Sequence, residues 1–182
     1  MSEMLELLAI RVADLEFALE LAAVKEVIRP PALVRVPNLP AFVSGVINFR
    51  GVAIPVIDLK SKFQVVPERK GAVDDSPSPD GEKRIAPQRL VICAVRSERT
   101  GESARAADKV VAFEVDEASE IVRVPRGAVL PAADGALRSV VAGVVPHRDR
   151  LLVWLDAPGL LSSDEKLTLD RFRMRREDLV RP

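Results

Sequence analysis

The sequence predicts a mainly β fold, built as small barrels or as a sandwich. Short apolar segments, several with alternating polar residues, recur along the chain between stretches rich in Gly, Pro and Asp. Many short strands with frequent turn signals favour these folds over a parallel sheet. Hydrophobic residues make up 48% of the 182 positions, so the chain can bury a core. Its length suits one domain or two small lobes.

The first segments predict a hairpin. In "EFALEL" (16–21) large apolar residues alternate with Glu or Ala, which is typical of a half-buried strand. The preceding "LLAIRV" (7–12) is its expected partner, with Asp14 in the turn.

The next segment has a helical pattern. "AAVKEVI" places Val24, Val27 and Ile28 at i, i+3 and i+4, which predicts a single helical turn. Pro30 and Pro31 would end it.

Three strands are expected before residue 60. "ALVRVP" (32–37) predicts a short edge strand, and "SGVINFR" (44–50) and "VAIPVIDL" (52–59) predict two strands that meet at Gly51. Pro55 cannot donate a ladder hydrogen bond, so its strand should be an edge or carry a bulge at that point.

The second half of the chain contains two polar stretches and more strands. Residues 66–88 are rich in proline and charge and predict a flexible inserted loop, and residues 96–108 predict a second polar loop. The expected strands are "RLVICAV", "KVVAFEVD", "SEIVRVP", "VVAGVVP" and "RLLVWLD". Trp154, in the last of these, is expected in the core or between lobes.

A C-terminal helix is expected over 163–177. Ser162 and Glu165 have the spacing of a capping box, and apolar residues follow at helical intervals. The arginines at its end, which suit a helix C-terminus, are interpreted as a solvated face rather than a nucleic-acid site.

Composition argues against several kinds of site. Lys and Arg together number 27, as do Asp and Glu, so no basic field attracts nucleic acid or an acidic membrane. No apolar run is long enough to span a membrane. The chain has one His, one Cys and no Tyr, so it cannot build a zinc site from Cys and His and shows no combination of residues typical of catalysis. His147 is expected in a solvated turn, and Cys93 in a core, which suits a reducing cytoplasm.

The stretch "LPAFVSGVINFRGVAIPVIDLKSKF" (39–63) resembles the most characteristic segment of the CheW family of chemotaxis adaptor proteins. The family pattern is a proline, a hydrophobic pair, a glycine, Asn–apolar–Arg–Gly, and a proline-containing strand that ends in Asp–Leu. The matching residues are Pro40, Phe42, Val43, Gly45, Asn48, Phe49, Arg50, Gly51, Pro55, Asp58 and Leu59. The first hairpin, the last hairpin and the terminal helix are also similar to the family.

This resemblance implies a single CheW-like domain over 1–182, with two five-stranded Src-homology-3-like barrels and a C-terminal helix. The lobes would span roughly 13–65 and 89–160. The function it implies is a noncatalytic adaptor that joins the cytoplasmic tips of methyl-accepting chemoreceptors to a CheA-type histidine kinase. Such a protein is cytoplasmic, associated with receptor arrays, and needs no cofactor or metal.

The resemblance also implies a surface that binds the receptor and the kinase. Its residues would be Val24, Glu26, Val27, Gly45, Asn48, Arg50 and Gly51. For several of them a structural role is equally compatible with the sequence: Gly45 as a backbone requirement, Val27 as core, and Arg50 as an ion-paired residue. Because the turn that carries Glu26 must pack beside this sheet, we predict an Arg50–Glu26 ion pair at an exposed edge.

Two other functions stay open at this point. A small-barrel nucleic-acid-binding protein would need exposed aromatic residues in a basic groove, which the neutral composition disfavours. An enzyme that uses Ser or Asp chemistry has no supporting motif. The inserted segments 66–88 and 96–108 also leave open whether the pathway controls flagella, pili, gliding or gene expression.

Overall fold

A computed structural model describes residues 3–65, 89–95, 109–132 and 139–169. These residues form a mainly β structure, as predicted. The strands are β1 (Met4–Val12), β2 (Leu15–Glu20), β3 (Val24–Ile28), β4 (Val43–Phe49), β5 (Val52–Asp58), β6 (Arg89–Val95), β7 (Lys109–Val115), β8 (Glu117–Pro125), β9 (Val141–His147) and β10 (Arg150–Leu155). Helix α1 spans Leu59–Phe63, and helix α2 begins at 163 and is described as far as 169.

The strands form two five-stranded sheets, in the orders β8-β1-β2-β10-β9 and β3-β6-β7-β5-β4. We call the second group the continuous lobe, because its strands all lie within 24–115. The first group is the split lobe, because its strands come from both ends of the chain, 4–20 and 117–155. The expected lobe boundaries, 13–65 and 89–160, are therefore wrong: the continuous lobe is inserted between β2 and β8.

The two lobes share one topology. In both, an edge strand is followed in the chain by an isolated bridge to the opposite edge strand: Val34 pairs with Val46, and Leu130 pairs with Val144. Each bridge brings the two edges of its sheet together. The structure is thus a pair of small curled sheets with matching strand order, consistent with the predicted pair of barrels.

The first hairpin is confirmed, but the segment after it is not helical. A single 3-10 turn covers Leu21–Ala23, and the chain then enters β3. A β-bulge between Val24 and Glu26, in the pairing with β6, places two residues of β3 opposite one. This bulge breaks the strict alternation that marks a strand. The segment 32–37 makes only the isolated bridge at Val34 rather than a full edge strand.

The largest apolar core lies between the lobes rather than inside either one. It joins buried residues of both sheets, among them Phe17, Leu19 and Phe113, with Leu160 and Leu161. Each lobe has a smaller core of its own. Burial of this much apolar surface, at about 25 cal/mol per Å², holds the lobes together as one unit.

The core between the lobes changes how strand β2 is buried. Phe17 and Leu19 enter the core between the lobes, while Ala18, on the other face, is fully buried inside the split lobe. The strand is therefore covered on both faces and not half-buried as expected. Trp154 packs against the core of the split lobe, as predicted.

The remaining expectations concern Pro55 and the C-terminus. The expectation for Pro55 is wrong, because β5 lies between β7 and β4 and has no bulge at that residue. Pro55 pairs with Val46 on one side, and the parallel pairing with β7 begins only at Val56, so the missing N–H is tolerated. Helix α2 begins at 163 behind a reciprocal capping box: Glu165 N–H donates to Ser162 Oγ, and Ser162 N–H donates to the Glu165 carboxylate. The rest of the helix expected to 177, and the segments 66–88 and 96–108, lie outside the described residues.

Candidate functional site

The turn between β4 and β5 positions Arg50. Phe49 pairs with Val52, which leaves Arg50 and Gly51 as a two-residue loop, and both have positive φ values, 52° and 81°. Hairpin turns of this length use such values because they match the twist of the strands. Asn48 Oδ1 accepts a hydrogen bond from Gly51 N–H at 2.9 Å. Asn48 and Gly51 therefore shape the turn that presents Arg50.

The predicted Arg50–Glu26 ion pair is confirmed. Arg50 Nη2 lies 2.6 Å from Glu26 Oε2, and the side chains are 75% and 38% exposed. The guanidinium carbon also lies 5.2 Å from the ring centroid of Phe49, within the range of a cation–π contact. Because β3 and β4 are opposite edges of their sheet, the pair closes the rim of the continuous lobe.

Apolar side chains accompany this ion pair. Val27 follows Glu26 on β3 and Val52 follows the turn, and both are exposed. We call Glu26, Val27, Asn48, Arg50 and Val52 the first rim. The expectation that Val27 belongs to the core is wrong, because β3 is an edge strand and this side chain faces outward. An exposed charge pair beside apolar groups is a combination suited to binding another protein.

Two residues expected at the surface lie deeper. Val24 is half-buried and packs against the core between the lobes. Gly45 is buried, and a Cβ atom there would lie 2.7 Å from the carbonyl oxygen of Val34 and 2.8 Å from Leu33 Cγ. The glycine lets the segment that contains Leu33 and Val34 cross close over β4. Val24 and Gly45 are thus packing residues rather than surface residues.

The split lobe carries a second rim that the sequence reasoning missed. Arg148 Nη2 lies 3.0 Å from Glu120 Oε2, and Arg148 also has positive φ, in the turn between β9 and β10. By strand register Glu120 corresponds to Glu26, because each lies at the bulge of its edge strand. A sequence signal existed: residues 140–156 repeat 42–58 with a constant offset. The identical positions include the pairs Val43/Val141, Gly45/Gly143, Arg50/Arg148 and Asp58/Asp156.

The second rim is more highly charged than the first. We define it as Glu120, Ile121, His147, Arg148 and Arg150. His147 takes the place of Phe49; its Nε2 lies 3.1 Å from Glu120 Oε1, and its side chain is only 16% exposed. It is therefore not the solvated turn residue that the sequence predicts. Hydrogen bonding to His147, followed by the nearby arginines, lowers the pKa of Glu120 despite some opposing desolvation.

A cleft of about 200 Å³ lies beside the second rim, between β1, β8 and the start of β10. Its arginines already pair with carboxylates: Arg11 with Glu117, and Arg150 with Glu16. These pairs neutralise the charges with which the cleft could recognise a small ligand. No group of three or more His, Cys, Asp or Glu that could hold a metal occurs among the described residues. Nor does any described helix have the length and apolar content to cross a membrane.

Comparisons with known proteins agree with this architecture. The "Chemotaxis protein CheW" of Rhizobium meliloti (strain 1021) is 27% identical over 164 residues, which cover 88% of this chain and 90% of that protein. The protein of the same name from Bacillus subtilis (strain 168) is 28% identical over 152 residues, covering 82% and 81% of the two chains.

A solved structure shows the same fold. The crystal structure of the scaffolding protein TtCheW from Thermoanaerobacter tengcongensis superposes with a TM-score of 0.69 at 20% identity, covering 92% of this chain and 95% of the other. The family model described as CheW-like domain matches residues 6–165. This match includes both lobes, both rims and the start of α2, and the chain belongs to the CheW-like domain family.

Proposed function

We propose that this protein is a noncatalytic signalling adaptor that couples methyl-accepting chemoreceptors to a CheA-type histidine kinase. It would act in chemotaxis or a related chemosensory pathway, in the cytoplasm beside membrane-bound receptor arrays. The family membership and the relatives named as chemotaxis proteins support this function. TtCheW, which has the same fold, is called a scaffolding protein, and this agrees with a role without chemistry.

The observation that carries the proposal is the exposed Arg50–Glu26 pair at a tight, hydrogen-bonded turn. An exposed ion pair contributes only about 0–1 kcal/mol to stability, so folding alone gives little reason for the restraints around it. The two-residue turn, the Asn48 hydrogen bond and the Phe49 ring all restrict the guanidinium. A guanidinium held in one orientation is a good preorganised contact for a partner protein.

The alternative, a nucleic-acid-binding barrel, gains no support from the side chains. Single-stranded nucleic acids are bound by exposed aromatic rings in a basic groove. Among the described residues no Phe or Trp is exposed, and the formal net charge of the whole chain is zero. A protein partner therefore fits this surface better than a nucleic acid.

Binding measurements with purified components test the proposal. The wild-type protein is titrated separately with a receptor cytoplasmic-tip fragment and with CheA, and in parallel with single-stranded and duplex DNA. We expect saturable binding to both proteins and none to DNA at physiological salt. Arg50→Ala should weaken binding to at least one protein partner by about tenfold or more, as for an interface anchor.

The matched control is Arg126→Ala. Arg126 is also exposed and ion-paired, with Arg126 Nε 3.3 Å from Glu3 Oε2, and it lies outside both rims, beyond the end of β8. We expect wild-type affinities for this variant. Failure of the wild-type protein to bind either partner, or equal losses in the two arginine variants, would count against the proposed function.

A further inference from the structure

Helix α1 belongs to the continuous lobe in sequence, but its side chains reach outside that lobe. It directly follows β5, and Leu59 is fully buried in the core between the lobes. Three of the four residues after Leu59 contact elements outside the continuous lobe: the crossover into the split lobe, helix α2 and strand β2. A five-residue helix thus lies across the junction of the two lobes.

Lys60 contacts the crossover from β7 to β8. Lys60 Nζ lies 2.5 Å from Asp116 Oδ1, and Asp116 is the only buried charged residue among those described. The other carboxylate oxygen accepts a hydrogen bond from Ala13 N–H at 2.6 Å, and Asp116 N–H donates to the Arg11 carbonyl. Asp116 is therefore fixed to the first hairpin of the split lobe, and Lys60 ties α1 to it.

Lys62 and Phe63 make two further contacts across the junction. Lys62 Nζ lies 2.7 and 2.8 Å from the two oxygens of Glu165 on α2, with both side chains mostly buried. The ring of Phe63 stacks on Phe17 of β2, with centroids 5.2 Å apart. Together with Lys60, these residues connect α1 to elements beyond its own lobe.

These contacts complement the apolar core in a specific way. Apolar burial holds the lobes together but is not directional, so it tolerates small changes of angle. Partly buried ion pairs with short distances lose energy when their geometry changes, and they contribute orientation more than net stability. We propose that α1 fixes the angle between the lobes, and that Lys60 and Lys62 are positioning residues that couple the first rim to the second.

A distance measurement tests the structural half of this inference without any partner. Spin labels are placed on Val52→Cys and Leu151→Cys, which are exposed residues of the two rim hairpins, while the native thiol of Cys93 is fully buried and stays unlabelled. We expect one narrow distance distribution in the otherwise wild-type protein. Lys60→Met combined with Lys62→Met should shift or broaden it.

The matched control combines Arg11→Met with Arg123→Met. These arginines also form two ion pairs, but both pairs join β1 to β8 within the split lobe. The distance distribution of this control should match that of the wild type. If the distribution of the Lys60/Lys62 variant also matched that of the wild type, the inference would be overturned. Should that variant not fold, Glu165→Gln serves instead, since glutamine can still accept the Ser162 N–H and only the charge opposite Lys62 is lost.

The functional half of the inference rests on the proposed adaptor function. It is measured as the change in receptor-fragment affinity that bound CheA causes. Receptor-fragment affinity is determined with and without saturating CheA. We expect a wild-type coupling factor of about 5 or more that falls toward 1 in the Lys60/Lys62 variant, while each separate affinity stays near its wild-type value. Unchanged coupling in a variant that binds both partners would overturn the role of α1. Absence of any wild-type binding would instead remove the adaptor function, and the distance measurement would still judge α1.

Discussion

The carbonyl oxygen of Val34 lies 2.7 Å from the point that a Cβ atom on Gly45 would occupy. In the split lobe, Gly143 has the same relation to the carbonyl oxygen of Leu130, at 2.9 Å, and to Val129 Cγ1, at 2.6 Å. Both glycines lie on the strand that the isolated bridge joins. The close approach of these segments therefore requires glycine in each lobe.

Gly45→Ala should lower the free energy of unfolding by about 1–3 kcal/mol, the usual cost of overpacking a site lined by backbone. Gly143→Ala should do the same, and Gly45→Asp should cost more because it also buries a charge. Urea denaturation followed by circular dichroism measures these changes. Gly127→Ala is the control, since nothing lies within 4 Å of its Cβ position; equal stability of all three alanine variants would contradict the packing argument.

Arg50→Ala and Glu26→Ala should leave a folded protein and impair assembly with receptor and kinase. Each should change the free energy of unfolding by no more than about 1 kcal/mol, because the pair is exposed. The double variant should bind little worse than either single variant, because the two residues act as one unit. Strictly additive losses of binding free energy would show that Arg50 contacts the partner independently of Glu26.

The contribution of Glu165 to stability should depend on pH. Burial raises the pKa of this carboxyl group, but hydrogen bonds from Lys62 and Ser162 outweigh that effect and lower it from the ordinary value of 4.5. A lowered pKa in the folded state stabilises the protein above pH 4.5, and this contribution is lost as the pH falls further. The wild-type protein should therefore have a higher free energy of unfolding than Glu165→Gln at neutral pH, and this difference should decrease as the pH falls below 4.5.

The measurement is the free energy of unfolding of both proteins from neutral pH down to well below the ordinary carboxyl pKa. Asp164→Asn, on the exposed side of the same helix, is the control, and its free energy of unfolding should differ less from that of the wild type at neutral pH. A difference between wild type and Glu165→Gln that stays constant over the whole range would contradict the role of Lys62 and Ser162.

Cys93 should be inert in the folded protein. It is fully buried in the core between the lobes, and desolvation raises the pKa of its thiol to about 12. Since the thiolate is the reactive form, an aromatic disulfide reagent in mildly alkaline buffer should react only after unfolding. Absorbance in native buffer and in guanidinium chloride distinguishes these states, and rapid reaction in native buffer would show that the junction core opens.

Much of the local structure follows directly from the sequence. Alternation along 16–21, the apolar segment 7–12 before it, and the Arg50–Gly51 turn between two apolar runs predict both hairpins at the correct positions. The Arg50–Glu26 pair is predicted correctly from the packing of the segment 24–28 beside the sheet, although that segment is a strand rather than a helical turn and Val27 faces outward. These features depend on short-range rules of side-chain direction and turn geometry.

The long-range arrangement does not follow in the same way. The period of a strand does not say which strand it pairs with, so no local pattern shows that β1 and β2 join β8 and β10 rather than β3. The sequence pattern predicts a helical turn at β3 because the bulge interrupts the alternation. The pattern also cannot reveal that Gly45 is buried, because nothing next to it in the chain marks the backbone segment that crosses over it.

The insertion of one lobe within the other has a consequence for synthesis on the ribosome. Strands β3 to β7 leave the exit tunnel in one uninterrupted stretch and can pair as soon as residue 115 has emerged. The first hairpin, made earlier, has to wait for β8 and finally for β10. At roughly 5–20 residues per second this delay is on the order of 10 s, during which apolar β1 and β2 have no sheet to join. In nascent chains of this protein, chaperones should therefore be needed to bind the N-terminal hairpin rather than the most recently synthesised segment.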